Sequence, residues 1–242
     1  MKATAVEYRF RHLIHGLIFV LGFIAPWNYA VHLDARGPNA HLWGVLAALL
    51  AKSGVTSIGT AFEGLLVLGI VLALLGAWVR TWGAAYLSSA VVHDGGMHGE
   101  GMVADGPYRY VRNPLYLGTF LHALAVALLM PVSGAIFTVV LIGMVQVRLT
   151  LREEPFLQQK LGASYAAYCA LVPRLMPSLR PRVAASGQRA AWGQAVLGEV
   201  YFWGVAGSFA VAGWWYNAML LIRCVIVSYG VSMVGRAFVV KK

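Results

Sequence analysis

Long apolar runs, interrupted by proline, glycine and basic clusters, organise the 242-residue chain. The first covers about residues 12–33 and the second 59–79, with an extension toward 89. Two shorter runs, 116–130 and 132–147, are separated by Pro131 alone, a pattern that predicts a tight helical hairpin with proline at its turn. The last pair covers 195–212 and 216–235, and Trp214, Trp215 and Tyr216 lie between them as interface anchors do. A helix needs about 20 apolar residues to cross hydrocarbon, where only helices or closed barrels satisfy the backbone. Continuous runs of this length predict helices. The expected fold is all-α and polytopic, with about six transmembrane helices and a cytoplasmic site formed by loops and short helices. No small-residue cleavage site follows the first run, which is read as a retained helix.

Composition agrees with lipid as the solvent. Hydrophobic residues make up 60% of the chain, charged ones 12%, and the mean hydropathy is +0.70; a soluble domain carries roughly 25% charged residues. The net charge of +10 comes from 19 basic and 9 acidic residues. With six crossings, sixteen basic residues fall on the side of the termini, Arg36 and Lys52 fall opposite, and Arg223 is left inside the last helix. The positive-inside rule then makes both termini cytoplasmic. The partner of this charge is the anionic lipid surface; no nucleic-acid-binding module is present. Cys169 and Cys224 are too few for a disulfide framework or a four-ligand zinc site. The G-x-G-x-x-A match at 99–104 and the group His93, Asp94 and His98 sit in a glycine-rich stretch without a strand or further ligand, and read as loop; no metal is expected.

The organisation expected is an N-terminal helix and loop (1–58), a core (59–180), and a linker with the C-terminal helix pair (181–242), the linker including Ser186 and Gly187. Two polar segments, 88–115 and 148–194, return to one membrane face around the hairpin. Within the first, "GPYRYVRNPLYLG" (106–118) combines Tyr108, Arg109, Tyr110, Arg112 and Tyr116 with the turn-formers Pro107, Asn113 and Pro114. Snorkelling arginines and belt tyrosines would explain these residues equally well. The second, "REEPFLQQKLGASYAAYCALVPRLMP" (152–177), brings two adjacent acids, Glu153 and Glu154, to a place where a helix dipole does not favour them. Tyr165 and Tyr168 are three residues apart on one helical face, and Val172-Pro173-Arg174 closes the segment on a stiff loop.

Together these stretches resemble the isoprenylcysteine carboxyl methyltransferases and their bacterial relatives, grouped with the phospholipid methyltransferases. The family pattern is G-P-Y-R-x-x-R-H-P-x-Y, a helical hairpin, E-E, then G-x-x-Y-x-x-Y and a V-P-R-like loop. Here it is matched by Gly106-Pro107-Tyr108-Arg109, Arg112-Asn113-Pro114-Leu115-Tyr116, Glu153-Glu154, Gly162, Tyr165, Tyr168 and Val172-Pro173-Arg174. Asn113 stands where better-known members have histidine. The resemblance, over 66–177, implies an S-adenosylmethionine site beside a lipid-accessible tunnel and a lipophilic or prenylated acceptor. Glu153 and Glu154 suit ribose hydroxyls or the ammonium, Arg109, Arg112 or Arg174 the carboxylate, and the tyrosines Tyr108, Tyr116, Tyr165 and Tyr168 the sulfonium or adenine, with Asn113 and Pro114 completing the expected cofactor contacts. Arg148 or Arg152 at the end of the hairpin is expected to orient an acceptor carboxylate. Competing readings are a sterol-reductase-like enzyme using NADPH and a small membrane transporter or scaffold. Among intramembrane polar residues (Glu63, His122, Gln146, Glu199 and Arg223), Glu63 and Arg223 are expected to pair near the outer face.

Overall fold

A computed structural model describes residues 2–24, 41–87 and 104–239. Its helices are α1 (Ala5–Arg9), α2 (Arg11–Ile24), α3 (Leu42–Lys52), α4 (Ile58–Tyr86), α5 (Pro114–Ala127), α6 (Val132–Leu171), α7 (Trp192–Gly198), α8 (Val200–Ala212) and α9 (Ala218–Val239), with short 3-10 turns at Gly106–Arg109 and Gly213–Trp215. Among the described residues, α4, α6 and α9 are each long and apolar enough to cross a membrane, and the bent α7–α8 pair adds a fourth candidate. The rest of the expected first helix, Arg36, and the weak motifs at 93–104 lie outside the described residues, except for Ala104.

Local chemistry sets the ends. Ser57 caps α4 by accepting from the Thr60 amide at 3.2 Å. Pro114 occupies the first turn of α5, where its missing N–H costs nothing. The hairpin predicted at Pro131 is present: α5 ends at Ala127, α6 starts at Val132, and Pro131 is the residue before it. Along α4, Val67, Leu68, Val71, Leu75 and Trp78 are all exposed, as a lipid-facing stripe must be. Its other face carries buried small residues. At Gly76 an added Cβ would meet the Gly118 carbonyl at 2.9 Å, so α4 and α5 cross with their backbones nearly touching. That contact explains the glycine closing the first motif.

Three expectations change. An additional helix, α3, packs Trp43 and Ala47 into the core formed by α4, α5 and α8; at eleven residues it is too short to signal itself as a span. The second polar motif is not a loop: α6 runs 40 residues from the hairpin through both acids and both tyrosines. Apolar runs record only the apolar part of a helix, so one that continues into polar sequence looks finished. Its one break is Gly162, whose φ of 60° and ψ of −134° turn the axis before Tyr165. Glu63 and Arg223 do not pair, since both side chains are exposed; it is Arg80, counted above among the flanking charges, that finds a buried acid, Glu199. Separately, Gly204 of α8 packs against Ser228 of α9, where an added Cβ would lie 2.7 Å from the hydroxyl.

Candidate active site

The two motifs meet at one carboxylate. Glu154, on α6, receives Nη1 of Arg112 at 2.8 Å and Nη2 of Arg174 at 2.6 Å. Arg174 Nε adds contacts of 2.9 and 3.1 Å to the two oxygens, a charge-assisted fork that holds this guanidinium protonated beyond its ordinary range. Backbone bonds seat the two arginines independently of the carboxylate. The Arg112 amide donates to the Pro173 carbonyl at 2.9 Å, and Asn113 Nδ2 donates to the Arg174 carbonyl at 3.1 Å. Asn113 thus does with its amide what a polar ring would do there: it ties the two halves together.

An open cleft of about 590 Å³ lies over this junction, lined by Arg112, Glu154, Pro155, Gln158, Tyr165, Ala166, Cys169, Ala170 and Arg174. Small-molecule sites run from about 300 to 1,000 Å³. Tyr165 and Tyr168 are both buried with ring centroids 5.9 Å apart, as their shared face predicts. They do different work. Tyr165 faces the cleft, while the Tyr168 hydroxyl donates to the Tyr108 carbonyl at 2.8 Å and fastens the first motif to α6. Burial holds the Tyr108 phenol neutral, well above its ordinary range. Its hydroxyl has no partner among the described residues.

Behind the cleft, Tyr116 donates to Glu153 at 2.6 Å. The adjacent acids are therefore divided: Glu154 serves the cleft and Glu153 the interior, because successive residues on a helix point about 100° apart. Arg109 turns away, with Nε donating to the Val183 carbonyl at 2.9 Å, and Pro114 is buried as the start of α5. Arg148 and Arg152 meet the N-terminal segment. Arg148 pairs with Glu7 at 2.9 Å, and Arg152 Nη1 donates to the Ala3 carbonyl at 3.0 Å. Glu7 is held below the usual carboxylate range by the Thr4 amide and then by Arg148. The buried Nε of Arg152 has no partner among the described residues.

Three features escaped sequence reasoning. Pro155, Gln158 and Cys169 line the cleft; Cys169 lies four residues beyond Tyr165, a helical spacing that was available as a signal. Asp105, one residue before the first motif, accepts from the Ser186 and Gln188 amides, each at 2.8 Å. With the Ser178 amide on the Tyr110 carbonyl (3.0 Å) and the Arg182 amide on the Arg109 carbonyl (2.8 Å), these bonds dock the expected linker along the first motif. The third is the pair of Arg80 and Glu199.

The donor set suits one amphoteric ligand. A carboxylate flanked by two guanidinium groups, with a tyrosine face and a sulfur beside it, offers separate partners to an ammonium or sugar hydroxyls, to a carboxylate, and to a soft cation. Among known proteins, the phospholipid methyltransferase family matches residues 65–164. The chain is similar to that family across its core. The matched segment contains α5, the hairpin, both acids and Gly162, and stops just before Tyr165. A curated relative, the protein-S-isoprenylcysteine O-methyltransferase of Schizosaccharomyces pombe, is 40% identical over 78 residues, which are 31% of this chain and 33% of that protein. The chain thus matches about a third of that relative's length. No solved structure matches the chain. The family resemblance read from the two motifs is borne out, and the helices beyond residue 164 are this chain's own to explain.

Proposed function

We propose that this chain is an integral membrane methyltransferase that takes the methyl group of S-adenosylmethionine and passes it to a lipophilic acceptor, most like an isoprenylcysteine carboxylate. The observation that carries the reading is the Glu154 junction: the two halves of the motif, separated by a membrane hairpin, converge on one carboxylate beside a ligand-sized cleft. In this reading Glu154 takes the ammonium or the ribose hydroxyls, Arg112 and Arg174 the carboxylate, and Tyr165 offers its face to the sulfonium. Asn113 and Tyr168, with Tyr108 and Pro114, hold the frame, and Arg109 pins the docked segment against it. S-adenosylmethionine, when bound, supplies a methyl group already activated by positive sulfur, so the protein's task is alignment. A carboxylate acceptor needs no base. Arg152, whose Nε has no partner among the described residues, is the group proposed to orient it, and Arg148 is the alternative.

Six crossings with both termini and the cleft on the cytoplasmic side complete the proposal, supported by the sixteen-to-two basic asymmetry. The organisation into segments 1–58, 59–180 and 181–242 accords with the match to 65–164. The family and the relative are both methyltransferases, which favours methyl transfer over the NADPH-dependent reading. Calorimetric titration of the detergent-solubilised chain tests this directly. Saturable binding of S-adenosylmethionine and none of NADPH is expected; the opposite pattern refutes the proposal.

A further inference from the structure

The C-terminal helices lie beyond the matched segment, yet they place a carboxylate in its middle. Between α7 and α8, Glu199 leaves helical geometry (φ −103°, ψ 16°) and the helices bend by 67°. Its side chain is fully buried and forks Arg80 of α4, with Nε at 2.7 Å from one oxygen and Nη2 at 2.9 Å from the other. The ring of Phe202 lies 4.2 Å from the guanidinium. Each N–H face of Arg80 therefore has a defined direction, and the remaining nitrogen points at α5. Nη1 donates to the Leu115 carbonyl at 3.2 Å and to the Thr119 hydroxyl at 2.6 Å.

Those two acceptors belong to the first turn and a half of α5. Tyr116 sits between them in sequence and reaches Glu153 at 2.6 Å. On the cleft side, Arg112 has its own anchors in the Pro173 carbonyl and Glu154. On the inner side, Tyr116 depends on how its turn is held. We propose that Arg80, oriented by Glu199, is a positioning residue for methyl transfer. It fixes the start of α5, and through Tyr116 the Glu153 end of the site, so that α7 and α8 belong to the reaction's machinery. This rests on the methyltransferase reading above.

A purely structural ion pair would predict something different. Breaking a buried pair by removing one partner leaves a lone charge and destabilises, whereas neutralising both partners with similar shapes is often tolerated. The experiment therefore uses the full chain in detergent with three variants: Arg80→Gln with Glu199→Gln, Glu199→Gln alone, and Arg80→Lys. Four quantities are read: the thermal midpoint, hydrogen exchange of the peptide over 113–119, the dissociation constant for S-adenosylmethionine, and kcat with a farnesylated cysteine bearing a free carboxylate. In the double variant the midpoint is expected to hold within about 5 °C. Exchange over 113–119 should rise about ten-fold or more. Turnover should fall about ten-fold or more, with cofactor affinity within about threefold of the parent. Arg80→Lys keeps the charge pair but cannot also reach Leu115 and Thr119, so it should share the fast exchange and slow turnover, and it decides the matter where the double variant does not fold. Parent-like exchange over 113–119 in Arg80→Lys, or parent-like turnover, overturns the proposal. A parent that binds no S-adenosylmethionine refutes the methyltransferase reading, while the exchange data still decide whether Arg80 holds α5.

Discussion

Glu154 has more neighbours than charge to satisfy them. One carboxylate serves Arg112, only 12% exposed, and Arg174, 42% exposed. Replacing it with glutamine removes charge-assisted contacts of about 1.5–3 kcal/mol each, and S-adenosylmethionine affinity should fall roughly ten- to a hundred-fold in a calorimetric titration. Arg174→Ala should act in the same direction while leaving turnover at saturating cofactor near the parent value. Arg152→Ala should do the reverse, slowing transfer far more than it weakens cofactor binding. Full turnover in that variant shifts the proposed role to Arg148. Residue identities in the motifs were legible because a charged or aromatic residue at a fixed spacing is a chemical signal in its own right. Their division of labour was not. Nothing in adjacent letters says that Glu153 faces Tyr116 while Glu154 faces two arginines; that follows from the phase of α6, which only the packed helix fixes. The same holds for Arg109, whose place in the motif suggested the cleft and whose Nε belongs to Val183.

At the scale of elements, the hairpin at Pro131 and the apolar helices could be read directly, since hydropathy and proline report local physics. The continuation of α6 and the docking of 178–188 could not, because both depend on partners distant in sequence. Gly162 is the point where α6 needs a backbone that other residues rarely adopt, and an added Cβ there meets nothing within 4 Å. Gly162→Ala should therefore cost about 1–3 kcal/mol through the backbone alone, read as a lower thermal midpoint. The Asp105 clamp has a pH signature. Hydrogen bonds from the Ser186 side chain and the Gln188 amide lower its carboxyl below the usual 3.8. A depressed value means the contribution is fully present above that value and is lost as pH falls through the lower, folded one. Limited proteolysis of 178–191 should accelerate as pH drops below about 4 in the parent. In Asp105→Asn the same loop should be cut quickly at every pH, without that acid step.

For the whole molecule, the decisive prediction is sidedness. Single cysteines placed near residue 2, in 178–188 and near the C-terminus should be labelled only from the cytoplasmic face of oriented membranes, and one near Lys52 only from the other. Labelling of 178–188 from outside would dismantle the six-crossing arrangement. The length of α6 carries a separate consequence. From Val132 to Glu153 this one unbroken rod rises about 32 Å at 1.5 Å per residue, close to the roughly 30 Å of a bilayer's hydrocarbon. In the proposed orientation the rod would act as a ruler that sets the height of the acids against the lipid boundary. Activity in reconstituted vesicles should peak for acyl chains giving about that thickness and decline in thinner or thicker bilayers, as the reacting ends of donor and acceptor are carried to different depths.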